Sequence, residues 1–169
     1  MKRAIVLVGL IALGASLMAA GYQGQAPGPK VVKLRTLRPG DSLYVLLGGG
    51  GNTLAMLRDD GVVLVDTKLP GWGKPIFDAV QAATDQPVTM IINTHAHADN
   101  TGSNGEFPTV TRIIAHENTK ANMQKMDAFK GPNAKFLPNS TVTDKMWLFD
   151  GRDRIGLYYF GAGHTNGDL

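Results

Sequence analysis

The stretch VTMIINTHAHADN, residues 88–100, decides how this chain folds and where its chemistry can occur. Its first part, Val88–Ile92, is apolar and β-branched, which is typical of a strand buried in a parallel sheet. The part that follows places His95 and His97 two residues apart, with Asp99 two residues further on. Because a chain can turn where a strand ends, these alternate side chains can converge on one point outside the sheet. The pattern therefore predicts a metal site at the end of this strand.

A third histidine, His164, lies in the glycine-flanked turn 161–165, again just after a strand-like segment. Neutral imidazole is a favoured zinc ligand, and a catalytic zinc needs three protein ligands and one open position. His95, His97 and His164 could supply three nitrogens, while Asp99 could orient a water, accept its proton or bind a second cation. An ordinary hydrogen-bonded loop is the alternative for the His95–His97 pair alone. The metal site is favoured because three of the four histidines in the chain fall in these two turns.

These motifs resemble those of the metallo-β-lactamase fold superfamily of hydrolases. Residues 94–100 match its pattern Thr-His-x-His-x-Asp-His at every position except the last. Upstream, 61–67 resembles the family strand that ends in an aspartate behind the metal, and 163–165 resembles its third ligand motif. The resemblance covers 41–169 and implies an α/β fold, the layered αββα sandwich of that family. The metal ligands that it implies are His95, His97, Asp99 and His164.

Two departures from the family pattern change what we expect of the metal centre. Asn100 stands where the family carries a histidine, and an amide oxygen is a weak zinc ligand. We therefore expect one zinc ion, with Asp99 as base and water anchor and with a second ion lost or loosely held. The sequence given stops at Leu169, before the later aspartate or cysteine and the final histidine of the family. We accordingly expect a truncated chain whose domain, 41–169, supplies mainly the first half of the sandwich and is incomplete at its C-terminus.

Hydrophobic patterning and turn residues predict the order of strands and helices. Strands are predicted at 42–47, 53–57, 61–66, 88–92, 111–115, 145–149 and 154–160, and helices at 74–83 and 118–126. The close spacing of the first three strands indicates an antiparallel meander. The later alternation of strand and helix favours a layered α/β architecture with helices on one face, which leaves the other face for a second half of similar build.

Three further features have a structural and a functional interpretation. The glycine run 48–51 is interpreted as a hairpin turn bordering the substrate groove, because no phosphate-loop lysine or helix follows it. His116 is interpreted as a helix cap or loop residue rather than a metal ligand. Trp72 either lines a pocket or is a partly buried anchor.

The N-terminus reads as an export signal. Lys2 and Arg3 precede the apolar run 4–18, and small residues follow at 19–21. We expect a cleaved signal at 1–21, a flexible mature start at 22–40, and a periplasmic or extracellular protein without stable membrane association. An uncleaved membrane anchor is the alternative, because no ideal cleavage site is present.

Composition limits the classes of partner. With 43% hydrophobic and 18% charged residues, the chain can form a core without a bias to disorder. Its net charge of +3 falls to +1 without Lys2 and Arg3, and no basic run occurs elsewhere, so nucleic acid is excluded as an expected partner. The absence of cysteine excludes disulfides and thiolate ligands in this sequence. A small-molecule substrate remains the expected partner.

The leading hypothesis is a zinc-dependent hydrolase that uses a metal-activated water to cleave a carbonyl bond, as in a lactam, lactone, ester or thioester. One alternative is a truncated or divergent relative that binds metal or ligand without turnover. Another is a mononuclear iron redox member of the same superfamily, because histidine and carboxylate ligands suit zinc and iron alike.

Overall fold

The structure is a computed structural model that describes residues 33–36 and 42–169. The predicted export signal at 1–21 and most of the segment 22–40 lie outside the described residues. Among the described residues, every helix is too short or too polar to cross a membrane.

The described residues form one seven-stranded sheet and one separate β-hairpin. The sheet has the strand order β1 to β7, antiparallel from β1 to β4 and parallel from β4 to β7. Its strands are β1 Lys33–Thr36, β2 Leu43–Leu47, β3 Thr53–Arg58, β4 Gly61–Val65, β5 Val88–Ile92, β6 Arg112–His116 and β7 Ser140–Val142. The hairpin consists of β8 Lys145–Leu148 and β9 Ile155–Tyr158.

Helices connect the parallel strands. The α-helices are α1 Gly73–Gln81, α2 Ala98–Thr101 and α3 Glu117–Met123. Short 3-10 helices occur at Asn104–Glu106, Asp127–Phe129, Gly131–Phe136 and Gly151–Asp153. Two of the α-helices, α1 and α3, are those that the sequence predicts.

The predicted antiparallel meander of β2, β3 and β4 is confirmed, and so is the layered α/β architecture. Alternation along the strands explains the layering, since successive side chains of a strand point to opposite faces of the sheet. Leu64 of β4 packs on one face with Ile76 and Val80 of α1. Val63 packs on the opposite face with Leu148 and Leu157 of the hairpin. The central strands are therefore buried on both faces, as their continuous apolar sequence predicts.

Some elements differ from the sequence predictions. Lys33–Thr36 falls in the segment predicted to be flexible, but it pairs with β2 as strand β1, so the sheet extends upstream of Asp41. β7 and α2, which are three and four residues long, are not among the predicted elements. Elements of this length contain too few residues to display a hydrophobic period.

The carboxyl ends of β4, β5 and β6 lie at one edge of the sheet because these strands are parallel. Asp66 follows β4, His95 follows β5, and His116 ends β6. Polar side chains from three separate segments are thus brought to the same edge.

Candidate metal centre

Three imidazoles meet at this edge of the sheet. The ring centroids of His95, His97 and His164 lie 4.8 to 5.1 Å apart in pairs. One potential ligand atom from each ring can be chosen so that all three lie within 4.8 Å of one another. His164 Nε2 is 3.0 Å from His97 Nδ1. The structure therefore brings together the three histidines that the sequence selects.

The arrangement fits a metal ion with nitrogen ligands. Tetrahedral zinc with Zn–N bonds of about 2.1 Å places its ligand nitrogens about 3.4 Å apart, and the observed spacings bracket that value. Burial, with the neighbouring His97 and His164, lowers the pKa of His95, which keeps its ring neutral and a lone pair available. His97 and His164 are exposed and line a cavity of about 500 Å³, so a metal and a substrate can enter from solvent.

A hydrogen-bonded relay behind His95 fixes how that ring is presented. The Thr94 hydroxyl donates to Asp66 Oδ2 at 2.7 Å, and the Thr94 backbone N–H donates to Asp66 Oδ1 at 2.8 Å. The same hydroxyl oxygen lies 3.0 Å from His95 Nδ1. Because its single proton goes to Asp66, Thr94 accepts the Nδ1 proton, which leaves the ring lone pair of His95 on Nε2. The relay therefore sets the tautomer that a metal ligand at Nε2 requires.

Burial raises the pKa of Asp66 to about 7, although the hydrogen bonds from Thr94 oppose that shift. A protonated carboxyl could itself donate to the Thr94 hydroxyl and reverse the relay. The hydrogen-bond direction that favours metal binding needs an ionised Asp66, and this form predominates above the raised pKa of about 7.

We expect Asp66→Asn to weaken zinc binding by about 10- to 100-fold, the usual effect of removing a hydrogen-bond partner behind a ligating histidine. The amide would donate to Thr94, the hydroxyl proton would turn to His95 Nδ1, and the ring proton would move to Nε2. Competition with a zinc-chelating dye measures the affinity. Asp60→Asn is the matched control, because Asp60 is an exposed aspartate whose partner is Arg58. An Asp66→Asn chain with parental affinity would contradict the relay.

Asp99 lies beside the three histidines without being one of the converging ligands. It sits in the first turn of α2, half-buried, and accepts a hydrogen bond from Asn100 Nδ2 at 3.1 Å. The same amide nitrogen is 3.2 Å from His95 Nε2. The structure thus brings together the three predicted histidine ligands. The role of Asp99 as ligand or base stays a prediction.

A buried hydrogen-bond network of one threonine and several amide groups supports α2. Thr67 Oγ1 donates to Asn104 Oδ1 at 2.8 Å, and Asn104 Nδ2 donates to Asn93 Oδ1 at 2.8 Å. The Thr67 backbone N–H donates to the Asn100 carbonyl at 2.7 Å. These contacts tie the ends of β4 and β5 to the helix that carries Asp99. No motif in the sequence marks Thr67, Asn93 or Asn104 as a network, because they come from three separate segments.

The loop that carries His164 is held by α3 and by its own turn. Asp168 accepts hydrogen bonds from the backbone N–H and the hydroxyl of Thr165. Burial favours a higher pKa for Asp168, but the Thr165 hydrogen bonds outweigh it and lower the pKa below its usual range. Thr119 Oγ1 of α3 donates to the Gly167 carbonyl at 2.6 Å. These supports are not among the sequence predictions, although a threonine followed three residues later by an acidic residue is a recognisable capping pattern.

His116 has the capping role that the sequence predicts. Its Nδ1 accepts the backbone N–H of Asn118 at 3.1 Å, at the start of α3. Its Nε2 lies 3.1 Å from the Thr143 carbonyl, and its ring stacks on Tyr159 at 3.8 Å. Both ring nitrogens are therefore engaged away from the three-histidine group.

Comparison with known proteins gives one family model and several similar proteins. A family model described as the metallo-beta-lactamase superfamily matches residues 46–169. The 2,4-dinitroanisole O-demethylase subunit alpha of Nocardioides sp. (strain JS1661) is 36% identical over 100 residues, which is 57% of this chain and 30% of that protein. Metallo-beta-lactamase domain-containing protein 1 of Mus musculus is 31% identical over 71 residues, 41% of this chain and 27% of that protein.

Solved structures show the same fold at low sequence identity. BJP-1, a subclass B3 metallo-beta-lactamase of Bradyrhizobium japonicum, has a TM-score of 0.67 at 21% identity. The match covers 82% of this chain and 55% of the BJP-1 chain. The class B3 di-zinc metallo-beta-lactamase LRA-12 from an Alaskan soil metagenome has a TM-score of 0.69 at 18% identity. The match covers 86% of this chain and 58% of the LRA-12 chain. The chain thus spans less than a third of the two curated relatives and somewhat more than half of these structures.

Proposed function

The chain belongs to the metallo-β-lactamase superfamily, and from that premise we propose that it acts as a zinc-dependent hydrolase on a carbonyl bond in a small molecule. The observation that carries this proposal is the convergence of His95, His97 and His164 at the solvent-facing edge of the sheet. Three imidazoles with an open side are the ligand set of a catalytic zinc rather than a structural one.

The residues around this point have complementary roles in the proposed reaction. A zinc ion held by the three imidazoles would lower the pKa of a bound water to about 7 and polarise the substrate carbonyl. The Asp99 carboxylate orients the attacking water and accepts its proton. The relay from Asp66 through Thr94 keeps the Nε2 lone pair of His95 directed to the site.

We propose that one zinc ion is sufficient, because the Asn100 side chain lies between Asp99 and His95. Its amide N–H donates to Asp99 and lies against His95 Nε2, at 3.1 and 3.2 Å. A hydrogen-bond donor on the carboxylate leaves that side of Asp99 unavailable to a second cation. LRA-12 is described as a di-zinc enzyme, and Asn100 supports a different count here.

The lining of the cavity supports an uncharged, partly apolar substrate group next to the metal. The lining residues are Ala96, His97, Ala98, Asn122, Met126, His164 and Thr165. Among these described residues there is no lysine or arginine, which argues against a phosphodiester. A lactam, lactone, ester or thioester carbonyl meets these requirements. The relative named as a 2,4-dinitroanisole O-demethylase adds a methyl aryl ether as a second substrate class to test.

We expect the zinc-loaded chain to hydrolyse at least one member of a panel comprising a chromogenic β-lactam, a lactone, a nitrophenyl ester, a thioester and 2,4-dinitroanisole. Activity should disappear with a chelator and return with added zinc, because the proposed water is activated at the three-histidine site. A chain carrying both His95→Ala and His97→Ala is the background control.

Other outcomes of the panel would replace this proposal. Stoichiometric zinc without turnover on any substrate would favour the metal-binding relative that does not catalyse. Turnover restored by ferrous iron but not by zinc would favour the iron redox alternative. Hydrolysis that survives in the double-alanine control would place the activity outside this site.

A further inference from the structure

The glycine run 48–51 packs directly against Asp99, the residue proposed to handle the water, and against its neighbour Asn100. It joins β2 to β3, and Gly48, Gly49 and Gly50 have positive φ values of 106°, 79° and 92°. A Cβ atom on Gly50 would lie 3.2 Å from Asp99 Cβ. On Gly51 it would lie 2.6 Å from Asn100 Oδ1. The glycine loop, residues 48–51, is therefore in van der Waals contact with α2.

Trp72 confines the glycine loop on another side. A Cβ atom on Gly49 would lie 2.5 Å from the Trp72 ring, so the indole packs directly on the loop backbone. Of the two interpretations left open for Trp72, the structure supports an anchor. The loop is thus enclosed between the indole and α2.

Lys68 holds both ends of the glycine loop from inside the protein. Its side chain is fully buried, and its Nζ donates to the Leu46 carbonyl at 2.8 Å and to the Gly51 carbonyl at 2.7 Å. Leu46 is the penultimate residue of β2, just before the loop, and Gly51 is the last residue of the loop. Lys68 also has a positive φ of 64°, an uncommon conformation for a residue with a side chain.

The backbone of Lys68 binds the end of α2. Its carbonyl accepts the N–H of Gly102, the residue that follows α2, at 2.9 Å. A single residue therefore joins the glycine loop through its side chain to α2 through its main chain. Asp99 lies between these two points of attachment.

The burial of an ammonium group without a carboxylate in contact is costly and needs a reason. Burial lowers the pKa of Lys68 to about 8, while the charge of Asp66 works in the opposite direction. At neutral pH the group is therefore mainly charged, and its two carbonyl partners are what retain it inside. A neutral replacement would remove one donor from each of these two carbonyls.

We propose that Lys68 is a positioning residue for Asp99: it holds the glycine loop against α2 and so fixes the Asp99 carboxylate beside the three-histidine site. This inference rests on the role of Asp99 in the proposed function. Lys68 itself touches neither substrate nor metal in this proposal. It acts through the contact between Gly50 and Asp99.

The test compares Lys68→Met with Lys74→Met, a matched change at an exposed lysine paired with Asp78. Hydrogen exchange of the full chain reports the amides of 99–102, and the visible spectrum of the cobalt-substituted chain reports the geometry of the metal site. In Lys68→Met we expect exchange at 99–102 to rise about tenfold or more, with β8 and β9 unchanged. We expect a changed cobalt spectrum at unchanged cobalt stoichiometry, and neither effect in Lys74→Met.

A double-variant comparison tests whether Lys68 acts through Asp99. Lys68→Met and Asp99→Asn should change the cobalt spectrum in the same way, and the double variant should add no further change. Additive spectral changes, or parental exchange at 99–102 in Lys68→Met, would overturn the proposal. Both readouts are independent of turnover, so failure of the hydrolase proposal in the substrate panel would be seen separately.

Chemical rescue covers the case in which Lys68→Met does not fold. The chain has no cysteine, so Lys68→Cys creates a single thiol. Alkylation of the unfolded Lys68→Cys chain with 2-bromoethylamine, followed by refolding, rebuilds a lysine-like ammonium, and alkylation with 1-bromopropane gives a neutral side chain of the same length. Only the ammonium form should regain parental exchange and the parental cobalt spectrum. Equal recovery by the neutral form would contradict a role for the ammonium group.

Discussion

The His164→Ala chain is expected to bind zinc at least about 100-fold more weakly than the parent chain. Structural zinc sites with four protein ligands have apparent binding free energies of about 10–16 kcal/mol, so each ligand contributes about 3 kcal/mol, or roughly two powers of ten in affinity. His164 lies on a loop after β9, whereas His95 and His97 follow β5. Its loss would leave two ligands from one short turn, which cannot enclose a tetrahedral ion by themselves.

Elemental mass spectrometry after gel filtration measures this effect, with about one zinc per chain expected for the parent. His116→Asn is the matched control, since it removes an imidazole that caps α3 and replaces it with a residue favoured at helix N-caps. That control should keep its zinc even if its unfolding temperature falls. Unchanged zinc content in His164→Ala would show that the three rings do not form one site. Two zinc ions in the parent would contradict the single-ion proposal based on Asn100.

The parts of the fold that the sequence predicts are those with local and repeated signals. Val88–Ile92 is predicted with its observed bounds, because a continuous apolar run between polar turns marks a strand buried on both faces. The meander from β2 to β4 follows from turn residues at fixed spacing. By contrast, β1 has no such signal, because three of the four residues of Lys33–Thr36 are polar, and its order comes from pairing with β2.

The metal-ligand residues are visible in the sequence because their chemistry and their spacing are both unusual. Their supports are not visible, because each is a contact between distant segments. Thr119 donates to Gly167 across 48 positions, and Lys68 reaches back to Leu46 across 22. A lysine in a loop is normally solvated, so nothing local distinguishes Lys68 from an exposed residue. Its burial is decided by the carbonyl groups that the fold places around it.

Asn100 illustrates how the structure sharpens a departure that the sequence alone leaves open. The sequence shows that an amide replaces the expected histidine, which makes a second metal doubtful. The structure adds that the amide nitrogen lies against both Asp99 and His95. Asn100 can therefore hold the Asp99 carboxylate by a hydrogen bond, a role that a second cation could otherwise fill. This makes Asp99 the residue whose replacement should separate catalysis from metal binding.

Asp99→Asn is expected to lower kcat by about 100- to 10,000-fold on whichever substrate the zinc-loaded chain hydrolyses, the range for loss of a general base. The amide has nearly the same shape and can still contact a water, but it cannot accept a proton. Zinc content should stay at the parental level, because the three histidines are unchanged. The measurement is kcat, KM and zinc content on the same preparation.

Asp78→Asn is the matched control, since Asp78 is an exposed aspartate of α1 paired with Lys74. An unchanged kcat in Asp99→Asn would exclude Asp99 as the base and direct attention to another acceptor at the cavity. Loss of zinc together with activity would instead identify Asp99 as a ligand, the other role that the sequence predicts for it. Only retained zinc with a reduced kcat supports a carboxylate that moves a proton without holding the metal. The hydrogen bonds from Lys68 to Leu46 and Gly51 would then position a catalytic group.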